Sequence, residues 1–140
     1  MIIENINEFN KMLVNEFIKK IPTINKIEDD ILENMVIIRE ENKVVGIISY
    51  EDYLEKGLIR YFIFQKDVLF EDLEKLFEEM KKKTINKGIK SLMTVIEDNE
   101  LVNFFNKLGF KKIDIKRVYL SETSLGDTIY SNAICMIYEM

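Results

Sequence analysis

The segment SLMTVIEDNELVNFFNKLGFKKI, residues 91–113, decides the fold of this chain. It opens with a short run of alternating apolar and β-branched residues, which predicts a buried strand. Asp98 and Asn99 can cap a helix that follows. Apolar residues then recur at helical spacing, at Leu101, Val102, Phe104, Phe105 and Leu108. Gly109 stands where a helix can end in the left-handed conformation, and Phe110 begins a second strand.

The end of this segment resembles a motif of the GNAT superfamily of N-acetyltransferases, in which a helix ends in F-Y-x-K-L-G-F. Here the residues from Phe104 to Phe110 are FFNKLGF. The resemblance implies an α/β fold with a single mixed, twisted sheet of six to seven strands and about four helices on both faces. It also implies one GNAT-like domain over residues 1–140. The catalytic tyrosine of the family motif is replaced by Phe105.

The rest of the chain shows a periodicity that agrees with this fold. Predicted helices cover 6–20, with Ile6, Phe9, Met12 or Leu13, and Phe17 on the apolar face, then about 23–32, and 69–87, with Gly88 as a C-terminal cap. Predicted strands cover 35–39, 43–50, 57–64, 90–96, 110–120 and 132–139, with a small strand at 1–4, a polar link at 51–56 and a polar loop at 121–131. The strands at 57–64 and 90–96 should be adjacent and parallel, because a helix connects them.

Composition excludes several classes of function. The chain has 140 residues, a net charge of −5 and no histidine. The acidic balance argues against nucleic acid as a partner, and the lack of histidine removes Ser-His and Cys-His triads and the usual zinc sites. Cys135 is the only cysteine, which favours a reducing compartment and a buried, unreactive thiol. The sequence shows neither a basic signal peptide nor an apolar run of membrane length, so a cytoplasmic protein without a membrane partner is expected.

GNAT enzymes bind acetyl-CoA where a Q/R-x-x-G-x-G/A motif opens the long helix. Glycines there let backbone N–H groups approach the pyrophosphate closely. One placement of the motif starts at Gln65 and puts Val68 and Phe70 at the glycine positions. A second starts at Val68 and puts Glu71 and Leu73 there. We prefer the second placement, because it keeps the apolar residues that follow on the core face; neither placement has a glycine.

Charge also disfavours a pyrophosphate at this place. Lys66 is the sole cation near the predicted helix start, which carries four acids: Asp67, Glu71, Asp72 and Glu74. Acids stabilise a helix N-terminus that has no ligand, by about 0.3–1 kcal/mol each. An ordinary acid-capped helix without a ligand is therefore an equal alternative at this position.

The resemblance nevertheless implies a set of site residues. Residues in the place of the acyl-CoA contacts are Ile63, Phe64, Lys66, Leu69, Phe70, Glu71, Asn99 and Phe105. For catalysis, Glu51 is the candidate base and Tyr61 a candidate phenol. The alternatives are that Glu51 is a solvated turn residue and Tyr61 a half-buried packing residue. Further phenols are available at Tyr119, Tyr130 and Tyr138, and the loop at 121–131 lies where the family shapes its acceptor pocket.

Two functions follow from this resemblance. The first is a divergent N-acetyltransferase that moves an acetyl or other acyl group from acyl-CoA to an amine of a small molecule or peptide. The second is a GNAT-like domain without turnover that acts as a binding or interaction module. In either case the chain could form a homodimer.

Overall fold

The computed structural model describes residues 1–117 and 133–140 of the chain. Within them the strands are β1 Ile2–Asn5, β2 Val36–Glu40, β3 Lys43–Tyr53, β4 Lys56–Phe64, β5 Ser91–Ile96, β6 Lys111–Ile113 and β7 Ile134–Glu139. The helices are α1 Lys11–Lys19, α2 Asp29–Glu33, α3 Phe70–Asn86 and α4 Glu100–Leu108, with a 3₁₀ turn at Ile115–Arg117. The predicted order of helices and strands is confirmed, including the small first strand.

The seven strands form one mixed sheet in the order β1-β2-β3-β4-β5-β7-β6. β4 and β5 are parallel, with Lys56–Leu58 opposite Ser91–Met93. Helix α3 lies between these two strands in sequence, as parallel strands require a long crossover connection. The predicted α/β fold class, and the predicted parallel pairing of these two strands, are confirmed.

The described residues form two compact units. The first comprises residues 1–51 and 60–83. Its core contains apolar residues of α1, α2, β2 and β3, with Val14, Met35, Ile37 and Ile47 completely buried. β2 and β3 supply many of these residues because Val and Ile fit the half-buried pleat of a strand.

The second unit comprises residues 52–59 and 84–140. Its core includes Leu58, Met93 and Cys135. Gly109 ends α4 at φ 107°, the left-handed cap that the sequence predicts. A Cβ at this glycine would lie 2.8 Å from Cε2 of Tyr138, so glycine also lets the aromatic ring approach the chain.

The structure corrects the predicted extent of the first two helices. α1 begins only at Lys11, because the side chain of Asn7 accepts hydrogen bonds from the N–H groups of Phe9 and Asn10, and these Asx-type bonds compete with a helical turn. Phe9 is consequently 94% exposed instead of lying on the buried face. α2 is a single short turn at Asp29–Glu33, and the residues predicted to start it are irregular.

Two strand boundaries are also corrected. The predicted polar link at 51–56 is part of a hairpin, in which β3 runs to Tyr53 and only Leu54 and Glu55 connect it to β4. The predicted strand at 110–120 is strand only at Lys111–Ile113, and the chain then enters the 3₁₀ turn. The last three residues of that predicted strand lie outside the described residues.

None of the helices within residues 1–117 and 133–140 is both long and apolar enough to cross a membrane.

Candidate active site

The second half of β4 carries several predicted site residues on two faces. Tyr61 and Ile63 pack against the core of the first unit. On the opposite side, the rings of Phe62 and Phe64 meet edge to face, with centroids 5.5 Å apart. Ile63 therefore points towards the core, whereas Phe64 lies on the other face of the strand.

Tyr61 interrupts the regular strand. Its φ is 56°, in a region that residues with large side chains rarely adopt. Strained backbone of this kind costs about 1–3 kcal/mol, and it tends to cluster at functional sites. The outlier therefore singles out the middle of β4 as a position worth testing for function.

The two predicted catalytic residues are joined through a third side chain. Glu51 lies within β3, partly buried, and its carboxylate accepts a hydrogen bond from the guanidinium of Arg60. The same guanidinium lies 5.2 Å from the centroid of the Tyr61 ring, within the range of a cation–π contact. The alternative that Glu51 is a solvated turn residue is wrong, because it lies in a strand and forms an ion pair.

Arg60 received no role in the sequence analysis. The sequence signal for its ion pair is an acidic residue, Glu51, after one predicted strand and a basic residue, Arg60, in the next. This signal indicates a contact only when the link between the two strands is short. The predicted six-residue link hid this signal. The actual two-residue turn brings β3 and β4 directly together, as neighbouring strands of the sheet.

The loop between β4 and α3 closes one turn on itself before the helix begins. The N–H of Val68 donates to the carbonyl of Gln65 at 3.2 Å. The N–H groups of Asp72 and Leu73, in the first turn of α3, both donate to the carbonyl of Leu69, at 3.0 and 3.1 Å. The Val68 amide is therefore used within the loop, whereas an anion cradle needs loop amides that point outward.

The side chains of this loop also fit a diphosphate poorly, whichever way the family motif is placed. In the first placement a glycine position is occupied by Val68, which is 7% exposed, and in the second by Leu73, which is 3% exposed. Both side chains are core residues of their unit. The other glycine position is taken by the half-buried ring of Phe70 in the first placement and by the exposed carboxylate of Glu71 in the second. These residues do not fit the diphosphate of coenzyme A.

The remaining predicted cofactor residues of the first unit are accessible. Lys66 is exposed in the turn after β4, and Leu69 is 58% exposed. Phe64, Lys66, Leu69, Phe70 and Glu71 thus follow one another along the chain from the end of β4 to the start of α3.

Asn99 and Phe105 belong to α4, in the second unit. Asn99 is exposed at the helix start, but its side chain makes no capping bond. The carboxylate of Asp98 instead accepts a hydrogen bond from the N–H of Glu100, at 2.9 Å. Of the two predicted capping residues, Asp98 is therefore the one whose side chain bonds at the helix start.

Phe105, at the position of the family tyrosine, is 5% exposed. Its ring meets those of Phe104 and Phe110 edge to face, each with centroids 5.3 Å apart. The row continues from Phe110 to Tyr138, at 5.4 Å. Of the apolar residues at helical spacing in α4, Phe105 and Leu108 are buried, as is Phe110 after the helix, whereas Phe104 is only half-buried.

Other candidate groups contribute less. Cys135 is buried, and this burial raises the pKa of its thiol to about 11, so it is protonated and unreactive near neutral pH. Tyr138 packs in the aromatic row. Tyr119, Tyr130 and the predicted acceptor loop at 121–131 lie outside the described residues.

No protein-family model matches this sequence, and no curated protein matches it either. Solved structures do match. N-acetylglutamate synthase from Neisseria gonorrhoeae, complexed with coenzyme A and L-arginine, matches 99% of this chain with a TM-score of 0.73 and 16% identity. This chain spans only 33% of that protein.

Two further structures match along almost their whole length. An acetyltransferase from Streptococcus agalactiae has a TM-score of 0.72 and 15% identity, over 99% of this chain and 98% of that chain. A Mycobacterium tuberculosis protein crystallised with CoA has a TM-score of 0.69 and 14% identity, over 100% of this chain and 99% of that chain. At such identities the likeness shows a shared fold, and it confirms the GNAT-like fold that the sequence predicts.

Proposed function

We propose that this chain, which has the fold of the GNAT N-acetyltransferases, is a divergent acyltransferase that moves an acyl group from an acyl-CoA thioester to an amine. The observation that carries the proposal is the likeness over nearly the whole chain to structures crystallised with coenzyme A. A fold by itself does not define a function, so the proposal needs groups of this chain that can do the chemistry.

Glu51 is the proposed proton acceptor. An amine must lose a proton as it forms an amide, and a positioned carboxylate can take that proton. Arg60 fixes the Glu51 carboxylate in place through their ion pair. Tyr61 completes this group as a neighbour of the guanidinium.

The proposed base can be tested by removing its charge. Glu51→Gln should lower the rate of acyl transfer by about 10²–10⁴-fold, the usual contribution of general acid–base catalysis. Glu55→Gln is a matched control, because Glu55 is exposed in the turn that follows β3. A thiol-release assay measures both, with circular dichroism to show that both variants are folded. Equal rates in the two variants would exclude Glu51 as the base.

A second candidate function is a binding module without turnover, and two specific observations favour it. The position of the family tyrosine is a packed phenylalanine, Phe105, which cannot donate a proton. In addition, the loop before α3 uses the amide of Val68 internally, and neither placement of the family motif has a glycine. Such a domain would keep the fold and lose the reaction.

Binding of a thioester separates the two candidates at the first step. Thermal unfolding should be measured with and without CoA, acetyl-CoA and longer acyl-CoA molecules. A ligand present at a hundred times its Kd stabilises the folded state by about 2.7 kcal/mol. A shift with at least one acyl-CoA is the expected result. If none of these ligands shifts the transition, the binding module becomes the better description.

A further inference from the structure

We infer that a thioester donor is recognised through its acyl-pantetheine arm, and that the nucleotide diphosphate of coenzyme A adds no affinity in this protein. The inference rests on the proposed function and specifies the substrate class of the same site. It begins from the misfit at the loop between β4 and α3, because this is where the fold would hold the diphosphate.

The first step is the hydrogen-bonding state of the loop. A helix start binds a diphosphate when its amides point outward and no side chain stands in the way. Here the amide of Val68 closes a turn onto the carbonyl of Gln65, and the amide of Asp72, in the first turn of α3, bonds to the carbonyl of Leu69. An anion could recruit these amides only by breaking bonds that already satisfy them.

The second step is charge. Between Gln65 and Glu74 the sequence contains one cation, Lys66, and four acids. Glu71 is exposed in the first turn of α3, so its charge faces the solvent from which a ligand would arrive. The 3′-phosphate and the diphosphate of coenzyme A carry several negative charges, which this segment repels.

The third step is the surface that remains. The rings of Phe62 and Phe64 lie together on one face of β4 and are half-buried. Leu69 follows a few residues later and is 58% exposed. These apolar side chains suit the methylene and methyl groups of a pantetheine arm, which carries no charge, and contact with them removes apolar area from water.

Calorimetry with two ligands tests the inference directly. Coenzyme A and pantetheine share the thiol arm and differ only in the nucleotide portion. In the unmodified protein their Kd values should agree within about threefold. A Kd for coenzyme A at least about tenfold lower than that for pantetheine would overturn the inference and leave the proposed function intact. If neither ligand binds, both fail together.

A charge reversal gives the matched second measurement. Glu71→Lys should tighten binding of coenzyme A by about tenfold and leave pantetheine unchanged, because only coenzyme A carries the charges concerned. Glu28→Lys is the control, since Glu28 is an exposed acid that precedes a different helix, α2, in the same unit. The inference is overturned if Glu71→Lys leaves the Kd of coenzyme A unchanged. The same holds if it tightens pantetheine equally.

Discussion

Two segments lie where the GNAT family has sequence motifs, and they differ in how well they match. They are the segment 104–110, at the end of α4, and the segment 65–74, around the start of α3. In the first, the pattern FFNKLGF matches the family motif at all but one of its defined positions. In the second, no glycine of the cofactor motif remains under either placement. Both segments nevertheless form the helix that the fold requires.

The difference follows the physical role of each position. In the segment 104–110 three of the five matching residues have packing or backbone roles: Leu108 and Phe110 are buried, and Gly109 turns the chain at φ 107°. The one mismatch, Phe105, lacks a hydroxyl and keeps an aromatic ring in the core. The residues missing from the segment 65–74 are those that would leave room for a ligand. The match to the family pattern is therefore found at packing positions, and the mismatch at positions that would face a ligand.

The largest expected effect tests the packing role of Phe105. Phe105→Ala should reduce the free energy of unfolding by about 3–5 kcal/mol, because it removes a buried ring from an aromatic row. Asn106→Ala, at the exposed neighbour, should change it by less than about 0.5 kcal/mol. Urea denaturation measures both. A cost below about 1 kcal/mol for Phe105→Ala would place the ring on an open wall, where it could contact a ligand.

A second prediction compares two positions of the α3 start. Leu73→Ala should cost about 2–5 kcal/mol, because Leu73 is only 3% exposed. Glu71→Ala should change stability by less than about 1 kcal/mol, the value of one acid at a helix N-terminus. The same denaturation experiment applies. Similar small costs at both positions would mean that Leu73 is free to be replaced by a ligand-facing glycine, and the contrast between the two regions would weaken.

The smallest expected effect separates backbone conformation from packing at two helix ends. Gly88→Ala meets no atom within 4 Å but has φ 80°, so it should cost about 1–2 kcal/mol from backbone strain alone. Gly109→Ala adds a contact at 2.8 Å with the Tyr138 ring and should cost about 1–3 kcal/mol more than Gly88→Ala. When Tyr138 is already alanine, the additional cost of Gly109→Ala should fall to that of Gly88→Ala. If the excess persists without the ring, packing against Tyr138 is not its cause.

Local patterns predicted a large part of the fold. The hairpin of β2 and β3, the long helix ending before Gly88, and the α4 helix ending at Gly109 were all found near their predicted positions. Each depends on periodicity and turn residues within a few positions, where local sterics decide the outcome. The loss of the cofactor glycines was equally visible, since it requires only the identity of the residues.

Side-chain contacts that the periodicity does not show decided the remainder. Phe9 has the right spacing for the buried face of α1, yet it is exposed, because the side chain of Asn7 delays the start of the helix. The ion pair of Glu51 with Arg60 depended on the true length of the β3–β4 turn. Of the predicted site, the sequence could name Glu51 and Tyr61, but not the arginine that connects them.

The sequence by itself determined the class of fold, the glycines that follow α3 and α4 and the absence of a glycine cradle, because each is encoded by neighbouring residues. Only the tertiary structure decided that Leu73 faces a core, that Phe105 belongs to an aromatic row and that Glu51 is paired. Burial and ion pairing are properties of contacts between distant segments. A single sequence shows which side chains are apolar or charged. Which of them contact each other is decided only when the helices and strands pack together.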